Sequence, residues 1–296
     1  MKRIFFAVFS IVMLVSCNQS GQQNTPAKND ANQSENREVE KVRRPISFSG
    51  TFYQITNIGS PDIVFTEGDY SIEAEGPSSM VNAVNIDVDC NVLTVSMNNE
   101  ERIGTNQFAN GPSSVTLHIS CPSLQILATC GTGGFRSVGT IHNSDMHVGC
   151  LGTGTIELDT VVTTGTFKYE SSGDGDALFH HIRSDQDCNM LVSGRGNTTA
   201  DVDIADRLLV ENDNSGTVSV SGKAHKAEIN ILETSDCNAD LNADQLDLTA
   251  LRGNITLKGK YAKKNINQSK KAKVTILELL SKVKSQRSNL HFTSTI

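Results

Sequence analysis

Four Gly-x-Gly tripeptides, Gly131-Thr132-Gly133, Gly152-Thr153-Gly154, Gly173-Asp174-Gly175 and Gly194-Arg195-Gly196, follow one another at a constant step of 21 residues. Weaker copies come at Asn214-Ser215-Gly216, Ser235-Asp236-Cys237 and Arg252-Gly253-Asn254, with a loosening step. Between the turns lie alternating segments such as Met146-His147-Val148-Gly149-Cys150, Ile156-Glu157-Leu158-Asp159 and Glu228-Ile229-Asn230-Ile231-Leu232. Period-two alternation buries one face of a strand and solvates the other. A unit of two short strands and two turns closes no core alone, whereas stacked copies share one. A sandwich of independent hairpins has no use for a constant step. At about 3.3 Å per strand residue, one unit suits a full coil of a parallel β-helix, with neighbouring coils about 4.8 Å apart. The expected fold is therefore all-β: a single-stranded parallel β-helix, or solenoid, with coils of about 21 residues over 121–275. An N-terminal β region over 46–120 is expected to act as a hairpin or strand cap, and 276–296 as a C-terminal cap or tail. Glycine at the recurring turns is expected to supply positive φ without steric cost.

Laid over one another, Ile126, Ala128 and Cys130 fall above Met146, Val148 and Cys150, then Phe167, Tyr169 and Ser171, then Cys188, Met190 and Val192, as one inward wall. Upstream, 62–65 and 70–74 flank Glu67-Gly68-Asp69, which reads as a hairpin turn. The alternation continues over 85–88, 92–97 and 115–119. These strands are expected to pair into the mouth of the solenoid and blunt an edge that otherwise invites end-to-end association.

The chain starts Met1-Lys2-Arg3, runs apolar over 4–15 and reaches Ser16-Cys17. This is the shape of a signal peptide over 1–16, too short for the roughly 20 apolar residues a spanning helix needs. The junction Leu14-Val15-Ser16-Cys17 resembles the bacterial lipoprotein signal, which implies acylation of Cys17. Multiple acyl chains there would hold the protein on a membrane without a transmembrane helix. The stretch 17–45 is rich in Asn, Gln, Ser and charge, offers almost no apolar surface to offset ordering entropy, and reads as a flexible tether. The implied location is the outer membrane of a Gram-negative bacterium, on either face. Beyond the tether the chain has no Trp, few aromatics and abundant Val, Ile, Thr, Asn, Asp and Gly, the material of strands and turns. A net charge of −7 argues against nucleic acid as a partner.

Besides Cys17 the cysteines are Cys90, Cys121, Cys130, Cys150, Cys188 and Cys237, an even number in an exported chain. Cys130 and Cys150 take equivalent places in adjacent coils, close enough to bridge. Their parallel Cβ vectors suit free thiols in a core better, and pairing is left open. No Cys-x-x-Cys spacing marks a zinc site. His142, His147, His180, His181 and His225 read as solvent-facing, with His180 and His181 on opposite faces if they share a strand. Asp174, Asp176, Asp185, Asp187, Asp201, Asp203 and Asp206 crowd near turns, where Asp is favoured by local hydrogen bonding. They do not recur in each coil as calcium repeats would, and a carboxylate pair for glycoside cleavage is the weaker reading. Lys258, Lys260, Lys263, Lys264, Lys270, Lys271 and Lys273 cluster near the last coil, where lysines protect an exposed edge and where anionic lipid or polysaccharide would also be attracted. Residues 275–283 have near-helical apolar spacing. No cofactor, metal or catalytic residue is assigned.

The order of motifs resembles a bacterial domain family described as putative auto-transporter adhesin, head GIN domain. The resemblance rests on Gly59-Ser60-Pro61-Asp62-Ile63-Val64-Phe65-Thr66-Glu67-Gly68-Asp69, on Leu93-Thr94-Val95 after Asp89, and on Cys121-Pro122-Ser123-Leu124-Gln125-Ile126-Leu127 leading into the Gly-x-Gly coils. It covers about 46–260 and implies a β-helix-like envelope domain, commonly lipid-anchored, with a role in adhesion. The functional expectation is a non-enzymatic, lipid-anchored envelope protein for adhesion or scaffolding, with an envelope glycan or protein as the ligand class. The alternative is a polysaccharide-binding or polysaccharide-cleaving β-helix. Few tyrosines, Tyr53, Tyr70, Tyr169 and Tyr261, are available for a sugar-stacking platform.

Overall fold

The computed structural model describes residues 41–98 and 115–277. It is a β-solenoid of about eight turns with coils about 20 residues apart. Parallel in-register pairing carries the stack: Met146–Cys150 lies on Phe167–Ser171, which lies on Cys188–Val192. On the next side of the coil Ile156–Thr163 lies on Ala177–Ser184. Further along, a corner and both its flanks merge into single bent strands, Thr198–Asn212, Val218–Ile231 and Cys237–Ala250. Cys17, its leader and most of the tether stretch lie outside the described residues, as does the apolar pattern beyond Leu277. Residues 275–277 of that pattern belong to the strand Ala272–Leu277 rather than to a helix.

The glycine corners owe their composition to close approach, which corrects the expectation of positive φ. The glycines of the four turns are absent from the positive-φ residues; among the recurring turns positive φ appears at the weak copy Gly253 (+84°), and Gly139 (+79°) lies outside them. A Cβ placed on Gly152 would stand 2.0 Å from the carbonyl oxygen of Gly131, and one on Gly154 the same distance from that of Gly133. The tight stacking lets one carbonyl serve two donors: Gly131 O accepts from the N–H of Thr153 (3.0 Å) and of Gly154 (3.3 Å), and Gly152 O from Asp174 and Gly175 (3.0 and 3.2 Å). Near the two ends of this ladder the residue before the turn is a buried asparagine. Asn57 donates to Pro61 O and Asn212 to Gly216 O, both at 2.8 Å.

Inside, side chains stack in files. One runs Met146, Phe167, Cys188, Leu208, Ala227, Leu246 and another Val148, Tyr169, Met190, Val210, Ile229, Leu248. Rings fill the widest coils, with Tyr169 and Phe179 edge-on at 4.9 Å and Phe167 and Phe179 at 5.6 Å. Tyr169 is fully buried, and burial pushes its phenol up to about 12.

The first coil on the inward wall is offset by one residue from expectation. Leu127 and Thr129, not Ala128 and Cys130, stack on Val148 and Cys150, because the step between these two coils is 21 residues. Cys130 is consequently exposed while Cys150 is buried, and no bridge joins them; all six described cysteines are free. The wall from Met146 onward stacks as the sequence indicates.

The mouth also differs from a simple hairpin. Asp62–Glu67 and Ser71–Pro77 do not pair with each other, since Thr116–Cys121 lies between them, parallel to the first and antiparallel to the second. The coil Gln54–Glu67 is thus sandwiched between Val92–Met97 with Thr116–Cys121 on one side and Ile126–Ser137 on the other. The earliest coil in the chain is the second in space. Antiparallel strands cap the mouth: Val84–Asp89 on Val92–Met97, through a two-residue turn with positive φ at Cys90 (50°) and Asn91 (65°), and Lys41–Pro45 on Ser71–Pro77. The strand Lys41–Pro45 takes up the end of the stretch read as tether.

Two measurements test this account. Gly152→Ala should lower the urea midpoint by the equivalent of about 1–3 kcal/mol or more, since the neighbour that must give is backbone. Gly68→Ala, where a Cβ would meet nothing within 4 Å, should stay within about 0.5 kcal/mol of wild type. In native protein, thiol reagents should modify Cys90 and Cys130 rapidly. Cys121, Cys150, Cys188 and Cys237 are buried and burial raises each thiol, to about 11 at Cys121 and about 12 at Cys237. They should react only with denaturant present.

Candidate functional site

On the outer surface, polar side chains at successive coils meet across the strand spacing. Every described histidine lies against a carboxylate, mostly one from a neighbouring coil: His147 on Glu170 (2.8 Å), His180 on Glu157 (2.8 Å), His181 on Asp201 (2.9 Å), His225 on Asp244 (2.9 Å), His118 on Glu75 (3.0 Å) and His142 on Glu67 (3.3 Å). His180 and His181 both point outward, between buried Phe179 and Ile182. They occupy a corner where the register shifts, so the opposite-face expectation fails there.

The aspartates singled out in the sequence are distributed in the same way. Asp174 meets Arg195 (2.9 Å), Asp187 meets Arg207 (2.9 Å), Asp203 meets Lys223 (3.2 Å) and Asp185 lies 3.8 Å from Arg183. Asp176 accepts the backbone N–H of Asn197 at 2.7 Å, and Asn197 in turn accepts that of Thr217 at 3.1 Å, an Asp/Asn ladder repeated where Asp236 accepts from Asn254 at 3.0 Å. Asp206 uses its backbone N–H on Gln186 O. Among the described residues no group of three or more His, Cys, Asp or Glu could hold a metal ion.

The electrostatics follow from these contacts. Partial burial works against the Glu170 carboxylate, but Lys168 and His147 hold it below its ordinary value. Glu211 and Asp213 behave oppositely. Burial raises both, and neighbouring acids add to it, Asp213 and Glu228 for Glu211 and Glu233 for Asp213. Both residues sit at the end of Thr198–Asn212 or just past it, far along the coil from the groove described next.

That groove, about 240 Å³, is lined by Thr199, Ser219, Ser221, Asn238, Asp240, Thr256 and Lys258 with Ala200, Val220 and Ala239 beneath. Register creates it. Thr199, Ser219, Asn238 and Thr256 form one file, and Asp201, Ser221, Asp240 and Lys258 the next. Ser221 donates to Asp201 at 3.0 Å and Asn238 to Ser219 at 3.4 Å. The result is a shallow strip of hydroxyls and amides that can exchange hydrogen bonds with a polar, extended ligand. Sequence reading reached Asp201 and Lys258 but missed the hydroxyl file, whose step drifts over these coils. Tyrosines do not supplement it: Tyr169 is buried, while Tyr53 and Tyr70 are exposed near the mouth.

The chain is similar to several solved structures, two of which reach a TM-score of 0.50 or more. A protein from Parabacteroides distasonis described as a putative lipid-binding protein superposes with a TM-score of 0.53 at 18% identity, covering 82% of this chain and 98% of its own. A putative adhesin from the same species gives 0.50 at 16%, covering 80% and 98%. A putative adhesin from Bacteroides fragilis gives 0.49 at 17%, covering 81% and 97%. No curated protein matches the sequence. The model of the family described as putative auto-transporter adhesin, head GIN domain, matches residues 51–201, the mouth and the glycine-cornered coils, and the chain belongs to that family.

Proposed function

We propose that this is a non-enzymatic, lipid-anchored cell-envelope protein that presents its solenoid for adhesion or scaffolding. The observation that carries the reading is the surface itself. Histidines, aspartates and arginines that would be candidates for chemistry are engaged in pairs that tie one coil to the next. They stiffen an extended, ribbed face instead of converging on one reacting point. The family's adhesin description supports the same reading.

The anchor rests on Cys17 following the apolar run 4–15, and the outer membrane of a Gram-negative bacterium is its proposed site. Among the described residues no helix is long and apolar enough to cross a membrane; the attachment in this reading is the acylated cysteine. A second reading, binding of an envelope polysaccharide, is favoured by the strip of Thr199, Ser219, Asn238 and Thr256, whose hydroxyls and amide suit sugar hydroxyls.

Cys17→Ser should move the protein from the membrane fraction to the soluble fraction; retention in the membrane would sink the anchor. Protease added to intact cells should digest the solenoid of the wild type if it faces outward, in support of adhesion. Protection until lysis would favour a periplasmic scaffold.

A further inference from the structure

The charge of the solenoid is sharply divided along its axis. Residues 115–251 carry seven Lys and Arg against nineteen Asp and Glu, whereas residues 252–277 carry eight Lys and Arg and no carboxylate. The cationic stretch forms the last coil of the described residues. Among the described residues Tyr261–Gln268 pairs only with Cys237–Ala250, and Ala272–Leu277 only with Gly253–Lys258, so both present an outer edge. Lys258, Lys260, Lys263, Lys264, Lys270, Lys271 and Lys273 are all exposed.

Several earlier cations are matched across coils, as Arg195 is to Asp174, Arg207 to Asp187, Lys226 to Asp247 and Arg252 to Glu233. The coil they would match next holds no acid. Edge protection accounts for lysines on these strands but not for the lack of any carboxylate over 252–277. The core file is moreover already closed by a lysine: Lys264 stands over Leu246. A uniform cationic end on an otherwise acidic body calls for an anionic counterpart. Two exposed aliphatic side chains lie on the same strand as Lys273, Ile276 (41%) and Leu277 (45%). Lysines beside aliphatic groups suit an anionic bilayer, which offers headgroup charge above an apolar layer. A polyanionic glycan offers nothing to the aliphatic pair.

We propose that the terminal coil is a cationic end face that docks on an anionic membrane surface, through Lys258, Lys260, Lys271 and Lys273 with Ile276 and Leu277. This docking is separate from the Cys17 anchor and lies at the end of the stack opposite the mouth, where Lys41–Pro45 enters.

The test uses the chain from residue 17 with Cys17→Ser, so that no lipid is attached. It should co-sediment with vesicles containing phosphatidylglycerol, fail to do so with pure phosphatidylcholine, and be released by high salt. Replacing Lys258, Lys260, Lys271 and Lys273 by Gln should weaken vesicle binding more than about tenfold. Replacing Arg195 and Lys223 by Gln, away from the end, should leave it within about twofold, a change of under 0.5 kcal/mol. Circular dichroism of each variant checks the fold, and the salt series on the unsubstituted surface decides the question if the fourfold variant does not fold. Salt-insensitive binding, equal binding to phosphatidylcholine, or binding by an intact fourfold variant would overturn the proposal. Capture of soluble dextran sulfate without vesicle binding would overturn it in favour of an anionic polysaccharide.

Discussion

Backbone meets backbone at the glycine corners, and the regularity of the fold depends on that approach. Where the chain turns, the carbonyl of one coil sits where the next residue's Cβ would be, so a side chain there would force the coils apart. With the side chain absent, the carbonyl accepts two N–H groups and the hydrogen-bond ladder continues around the corner. Register is thereby fixed on both flanks of the turn, and every file of core residues and every outer pair inherits it. A slip of one residue in a strand exchanges its faces; a corner that permits only one stacking suppresses such slips.

Once register is set, coil length and core volume must change together. The step is 21 residues from Phe167 to Cys188, then 19 from Leu208 to Ala227, and 18 from Leu246 to Lys264. Residues are lost at corners, between Phe179 and Ile182 and between Ile204 and Arg207, where the register shifts. A shorter perimeter encloses less volume. The core answers with smaller side chains: Phe167, Tyr169 and Phe179 occupy wide coils, Ala224, Ala227, Ala239 and Ala243 the narrow ones. Interiors are close-packed, so an aromatic in the narrow coils or an alanine in the wide ones would cost overpacking or a cavity.

The same coupling explains what could be read from sequence. The constant step of the Gly-x-Gly turns and the period-two alternation made the solenoid legible, along with the stacking from Met146 onward. Three features were hidden because they break the step. The coil at Gln54–Glu67 is separated in sequence from its neighbour at Ile126–Ser137 by the capping strands, so no fixed period links Gly59 to Gly131 even though they stack. That insertion also concealed the placement of Thr116–Cys121 between two strands that look like a hairpin. The groove's hydroxyl file, Thr199, Ser219, Asn238 and Thr256, advances by 20, 19 and 18 residues, and a search at 21 passes over it. The glycines themselves were found for the right spacing but the wrong physical reason, since sequence alone does not separate a need for positive φ from a need for no Cβ.

Cross-coil pairing also constrains evolution of the surface unevenly. An outer residue in the middle of the stack faces one coil above and one below, so its charge must suit two neighbours: Asp201 contacts both His181 and Ser221, and Arg207 reaches Asp187 on one side and Glu228 on the other. Changing one such residue leaves its partners mismatched, and in the acidic body of the solenoid such a cation is held in place by the acids of its neighbours. Among the described residues the terminal coil has a neighbour on one side only. Its outward positions are released from half of that constraint, and they are the positions at which a single sign of charge accumulates. A solenoid therefore separates its tasks by position along the axis, with the interior coils committed to one another and the end coil free to be shaped by what lies outside the molecule.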